Sequence, residues 1–170
     1  MKHPITIDGK KYNIKPISEL TTAEFIELEK IEDLDYLKYI SWQTGVSIDK
    51  TFYAIIDPKI YLAIGQKPDI TKMKIPDWVD KNKKIDTVGL RHQVESSKLK
   101  NFDLLVLCLA VAQARSNNYE DVQNLIDQYM QMPFAEVLPS GFFFFKNYNR
   151  GKSNVRNFLN WLLALIRIRK

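Results

Sequence analysis

Apolar residues recur mostly at helical spacing along this chain, and the clearest exception lies near the N-terminus. Two runs, Ile5–Ile7 and Tyr12–Ile14, alternate apolar and polar residues on either side of Asp8-Gly9. The alternation predicts two short strands, and Asp-Gly suits a two-residue type I′ turn with both residues at positive φ. We predict a β-hairpin over residues 4–14 in which Ile5 faces Tyr12. It must pack on helices or on another subunit, because a lone hairpin is only marginally stable in water.

Helix signals follow the hairpin. Thr21, with Glu24 three residues later, forms the capping-box pattern of a helix start. The apolar spacing carries this helix to Ile31. A second helix is predicted to end at Gly45, and a third is predicted to begin at Ser47.

The middle of the chain is less regular. Residues 66–86 mix isolated apolar residues with lysines and two prolines, which predicts a long loop with one short strand or helical turn. The chain then reads as helical from Thr87. The segment Phe102–Arg115 is apolar nearly all round, which predicts a buried central helix. An amphipathic helix is predicted to begin at Tyr119 or the next residue and to close at Met132-Pro133.

These elements predict a mainly α-helical fold with a small N-terminal β-hairpin. We expect a helical domain over residues 1–138, followed by an amphipathic C-terminal helical arm over residues 139–170. Gly141 and Gly151 are interpreted as helix punctuation within that arm.

The start of the arm contains four consecutive phenylalanines, Phe142, Phe143, Phe144 and Phe145. If this segment is helical, steps of about 100° spread the rings around most of the helix, so no single face hides all four. If it is extended, two rings fall on each side. Rings that stay exposed would indicate that a second surface covers them. Alternatively, the central helix and the C-terminal helix pack on both sides of the rings and bury them within the chain.

A final helix is predicted over residues 154–168. Its apolar stripes are too wide for one neighbouring helix, and basic residues bracket them. We predict a partner-binding surface that comprises the four phenylalanines and two further groups of residues. The apolar group is Phe158, Trp161, Leu162, Leu165 and Ile166, and the basic group is Arg150, Lys152, Arg156, Arg167 and Arg169.

Charge narrows the choice of partner. Residues 139–170 contain seven Lys or Arg and no acidic residue, whereas the whole chain carries a net charge of +5, so the rest is slightly acidic. This confinement argues against a broad basic face for nucleic acid. Spaced Leu and Ile residues favour a groove on another protein, or self-association. A nucleic acid contacted by the arm is the alternative, and a membrane surface is the least favoured partner.

The sequence offers no catalytic constellation. The chain has one cysteine, Cys108, two histidines, His3 and His92, and no glycine loop suited to phosphate. Cys108 lies in an apolar run and is interpreted as a core residue. We therefore expect no enzymatic activity and no cofactor or metal. The N-terminus lacks the apolar region of a signal peptide.

Four segments resemble those of the tail or baseplate assembly chaperones of tailed bacteriophages. They are ITIDGKKYNIKP as a strand pair, LTTAEFIELE as an acidic-aliphatic helix, DTVGLRHQVE as a later helix start, and FAEVLPSGFFFFKN as a closing segment. The chain departs from that pattern in its basic end and in the absence of an aromatic residue at Val88. The resemblance implies a non-enzymatic role in virion assembly, or a minor structural place in the virion. The implied location is the cytoplasm of an infected bacterial host.

Overall fold

The computed structural model of the protein describes residues 3–51, 69–83, 102–114 and 119–149. In these ranges the protein is mainly α-helical with an N-terminal antiparallel hairpin, which confirms the predicted fold class. The predicted helix over residues 154–168 and the helix from Thr87 lie outside the described residues. The chain divides into two compact units, Met1–Pro68 and Asp69–Lys170, here called the N-terminal and C-terminal units.

The hairpin consists of β1 (His3–Ile7) and β2 (Lys10–Ile14). Asp8 and Gly9 have φ angles of 49° and 74°, so both central residues are left-handed, as a type I′ turn requires. Ile5 pairs with Tyr12, which confirms the predicted register.

One face of the hairpin is buried. Ile5, Ile7 and Ile14 are buried, whereas Lys11 and Asn13 on the opposite face are exposed. The N-terminal unit also contains α1 (Thr22–Glu29), α2 (Tyr36–Thr44) and α3 (Ile48–Thr51), and α2 lies against β2. Burial of this isoleucine face supplies the support that an isolated hairpin lacks.

The predicted capping box starts α1. The Thr21 hydroxyl accepts a hydrogen bond from the Glu24 N–H at 3.2 Å, and the Thr21 N–H donates to the Glu24 carboxylate at 2.8 Å. The helix ends at Glu29, two residues before the predicted Ile31. In α2, the Asp35 carboxylate accepts from the Lys38 N–H at the start, and left-handed Gly45 ends the helix as predicted.

A polar network joins the end of the hairpin to both helices. The Lys15 ammonium donates to the Glu24 carboxylate, the Tyr39 hydroxyl donates to the Lys15 carbonyl at 2.6 Å, and the Gln43 amide donates to the Tyr39 hydroxyl at 3.0 Å. Partial burial alone would raise the pKa of Glu24. The hydrogen bonds from Lys15 and Thr21 outweigh that effect and hold the pKa below its usual value.

In the C-terminal unit, residues 69–83 form successive turns and contain neither strand nor helix, so the expected strand or helical turn is not found in this range. The turns are closed by backbone hydrogen bonds from Lys72 to Asp69, from Val79 to Pro76 and from Lys83 to Asp80. Buried Ile70 and Val79 hold this loop in place.

Three helices form the rest of the described C-terminal unit: α4 (Phe102–Gln113), α5 (Tyr119–Gln131) and α6 (Phe134–Asn149). Every residue from Leu104 to Ala112 is buried, which confirms the predicted central helix. The Lys83 ammonium donates to the Gln113 and Ala114 carbonyls at the end of α4, where a cation meets the negative pole of the helix.

The interpretation of Gly141 as helix punctuation is wrong. Gly141 is buried in the middle of α6, and a Cβ built there would lie 2.2 Å from the carbonyl oxygen of Leu105 in α4. The missing side chain lets the two helix backbones approach each other closely. Pro139 also lies inside α6, where it cannot donate a helical hydrogen bond. The expected boundary between residues 138 and 139 therefore falls within a continuous helix.

We predict that Gly141→Ala destabilises the protein, although alanine is the better helix former. Helix propensity alone would stabilise by about 1 kcal/mol, whereas forcing α6 away from α4 costs at least about 1–3 kcal/mol. Urea unfolding followed by circular dichroism measures the free energy of unfolding. Asn147→Ala, at an exposed position of the same helix, is the control and should change that free energy by less than about 0.5 kcal/mol. A more stable Gly141→Ala protein would contradict the close approach.

Candidate partner-binding surface

The side of α6 that faces α4 packs in the core of the C-terminal unit. Residues 137–141 are all buried, so the middle of α6 is covered all round. Its other buried residues are spaced from these so that they lie on the same side of the helix as Gly141. That side packs on α4 at Gly141 and Leu105. The buried apolar residues are Phe134, Val137, Leu138, Phe144 and Phe145.

The helix divides the run of phenylalanines into two pairs. Phe144 and Phe145 are buried, with 1% and 4% of their surface exposed, whereas Phe142 and Phe143 are half-buried. Successive residues are separated by about 100° around a helix, so four consecutive rings cannot share the inner face. Phe143 contacts Phe144 edge to face, with ring centroids 5.2 Å apart. Two of the four predicted phenylalanines are therefore core residues, and the other two remain partly exposed.

Trp78, within the loop over residues 69–83, lies beside the same helix. The Trp78 indole N–H donates to the Glu136 carboxylate at 3.0 Å, and its ring stacks on Tyr129 of α5 at 5.8 Å between centroids. Trp78 is still 42% exposed, while burial raises the pKa of Tyr129 to about 12. Glu136 lies 58 positions from Trp78, so no local spacing could have predicted their contact.

We define the outer surface of α6 as Trp78, Glu136, Phe142, Phe143 and Lys146. Glu136 and Phe143 are seven residues apart, which places them on one side of the helix about two turns from each other, with buried Pro139 between them. Lys146 is exposed one turn beyond the two phenylalanines. This surface is aromatic and carries a cation at its C-terminal end.

The remaining predicted partner-binding residues lie outside the described part of the chain. They are Arg150, Lys152, Arg156, Phe158, Trp161, Leu162, Leu165, Ile166, Arg167 and Arg169. Their prediction as a partner-binding surface stays a prediction.

Cys108 is a core residue, as predicted. It is 1% exposed in α4, and burial raises the pKa of its thiol to about 12. Among the described residues, no group of three or more His, Cys, Asp or Glu side chains could hold a metal ion. Over the same residues, no helix is both long and apolar enough to cross a bilayer. His3 begins β1, and His92 lies outside the described residues.

Comparison with protein-family models, with curated proteins and with solved structures found no match to this chain.

We predict that Cys108 of the folded protein reacts very slowly with a thiol reagent such as DTNB at pH 8. Its thiol is both inaccessible and protonated at that pH, and the thiolate is the reactive form. The absorbance at 412 nm should rise rapidly only after guanidinium is added. Rapid labelling of the native chain would contradict the burial of α4.

Proposed function

We propose that this chain is a non-enzymatic protein-interaction protein that acts in the assembly of a phage tail, or as a minor component of the virion. The observation that carries the proposal is the partly exposed pair Phe142 and Phe143. The pair lies on a helix whose inner face already packs on α4. A partner can therefore bind these rings without disturbing the core.

The chemistry of the outer surface of α6 suits a protein partner. Aromatic side chains supply much of the binding energy at protein interfaces, because each ring buries a large area with little loss of conformational freedom. Trp78 extends the aromatic area beside Glu136 and offers a wide, partly exposed ring. Burying such rings in a partner's groove removes apolar surface from water at about 25 cal/mol per Å².

The sequence after the outer surface of α6 is rich in basic residues. Lys146 is exposed, and residues 150–170 contain six further basic side chains and no acidic one. A partner with an acidic rim around an apolar groove would complement both features. This combination favours a protein groove over a uniform phosphate backbone.

The phage assignment is supported by the segments that resemble tail and baseplate assembly chaperones. Three of these segments coincide with folded elements: ITIDGKKYNIKP covers most of the hairpin, LTTAEFIELE contains α1, and FAEVLPSGFFFFKN lies within α6.

The proposal is tested with the products of the reading frames that flank this gene, which should encode tail proteins. The tagged full chain is co-expressed with each product, and the affinity of any complex is measured. We predict that Phe142→Ser combined with Phe143→Ser weakens the complex at least about tenfold, which corresponds to about 1.4 kcal/mol. Tyr119→Ser, at an aromatic residue that is 76% exposed on α5, should leave the affinity unchanged.

Equal binding by the double variant and the parent chain would overturn the docking surface. Binding to DNA with an affinity that falls steeply with salt and ignores the phenylalanines would favour a nucleic-acid role instead. A double variant that unfolds would place these rings in the core, so circular dichroism and the urea midpoint are measured alongside.

A further inference from the structure

The two edges of the N-terminal hairpin are not equivalent. Antiparallel pairing alternates residues that bond to the partner strand with residues whose N–H and C=O groups point outward. Because Ile7 and Lys10 close the turn, the outward positions are Pro4 and Thr6 on β1 and Lys11 and Asn13 on β2. Pro4 has no N–H, which blunts the β1 edge.

Within the described part of the chain, the β2 edge has unpaired outward backbone groups at two residues, and the next outward position is hydrogen-bonded. Lys11 and Asn13 make no backbone hydrogen bond to another described residue outside the hairpin. The next outward position is Lys15, where the N–H donates to the Gln43 side chain at 3.4 Å and the carbonyl accepts from Tyr39. The described residues thus occupy the outward position that follows β2 and leave both outward positions within β2 open.

A cleft of about 300 Å³ lies beside β2 and the connection between α2 and α3. Its lining includes Ile7, Lys10, Tyr12, Val46, Ser47 and Lys50. The side chains of Lys10, Tyr12, Ser47 and Lys50 make no hydrogen bond or ion pair with any other described residue. The cleft therefore combines apolar side chains, hydroxyl groups and two ammonium groups that pair with no described residue.

We propose that β2 and this cleft bind an extended, acidic peptide segment of a partner protein by strand addition. The added strand exchanges backbone hydrogen bonds with Lys11 and Asn13. Its residue opposite Tyr12 points to the same face as Tyr12 and enters the cleft, because paired residues share a face of the sheet. This surface belongs to the N-terminal unit and is independent of the phenylalanines proposed above.

The lysines at this site favour a peptide that carries acidic side chains. Lys10 and Lys50 line the cleft with a single carboxylate, Asp8, and Lys11 is exposed on the opposite face of β2. A glutamate on either face of the added strand therefore meets a lysine, whereas a lysine meets like charge. The occupant is thus a strand-forming segment rich in glutamate or aspartate.

The test uses the full chain and a fluorescein-labelled seven-residue peptide of alternating valine and glutamate. Fluorescence anisotropy measures the dissociation constant. Asn13→Pro removes an outward N–H from the β2 edge and should weaken binding at least tenfold. Thr6→Pro makes the same change on the β1 edge and should alter binding less than twofold. Lys10→Glu combined with Lys50→Glu should weaken binding at least tenfold.

Control peptides separate the two features of the site. A peptide with lysine in place of glutamate tests charge, and one with N-methylated backbone amides tests strand pairing; both should bind at least tenfold more weakly. Amide signals of Lys11 and Asn13 in NMR spectra should shift when the parent peptide is added, a readout that needs no variant.

Several results would overturn the proposal. They are the absence of binding by the parent peptide at 1 mM, equal effects of Asn13→Pro and Thr6→Pro on two folded variants, and tight binding of the N-methylated peptide. Dimerisation of the chain through β2, seen in analytical ultracentrifugation and lost in Asn13→Pro, would make a second copy the occupant and would also overturn it.

Discussion

The close contact between α4 and α6 is the constraint on which the C-terminal unit depends. Because α4 is buried on every side from Leu104 to Ala112, it needs neighbours all round. One of them, α6, comes so near that only a hydrogen fits where Gly141 faces the Leu105 carbonyl. This approach fixes which side of α6 faces α4, since a helix is a rigid unit over a few turns.

The orientation of α6 against α4 determines which of the four phenylalanines are buried. Once Gly141 faces α4, helical geometry carries Phe144 and Phe145 inward and leaves Phe142 and Phe143 on the outer side. Trp78 joins the outer side because its indole is held by Glu136, one residue along the helix from buried Val137. A single segment thus serves the core and carries the surface that we propose for a partner, while the hairpin edge carries the separate site that we propose in the other unit.

Short sequence motifs correctly predicted the hairpin turn and the start of α1 in the N-terminal unit. Asp8-Gly9 specified the turn and with it the strand register, and Thr21 and Glu24 specified the start of α1, because in both cases the interacting groups are close in sequence. The role of Gly141 could not be read in this way, since its contact with Leu105 is tertiary and Pro139-Ser140-Gly141 resembles a helix break. The Trp78–Glu136 bond was missed for the same reason. For the candidate surface, the sequence predicted the four rings as a group, but only packing against α4 could divide them.

Hydrogen–deuterium exchange of the full chain, resolved by mass spectrometry on peptides from α4 and α6, tests the central claim most directly. If α6 is an integral part of the core, amides of residues 141–145 will exchange as slowly as those of residues 104–112, because both open only when the unit unfolds. The outer rings would then be displayed by a rigid helix. Exchange of residues 139–149 that is orders of magnitude faster, while α4 stays protected, would show a detachable arm and contradict this account.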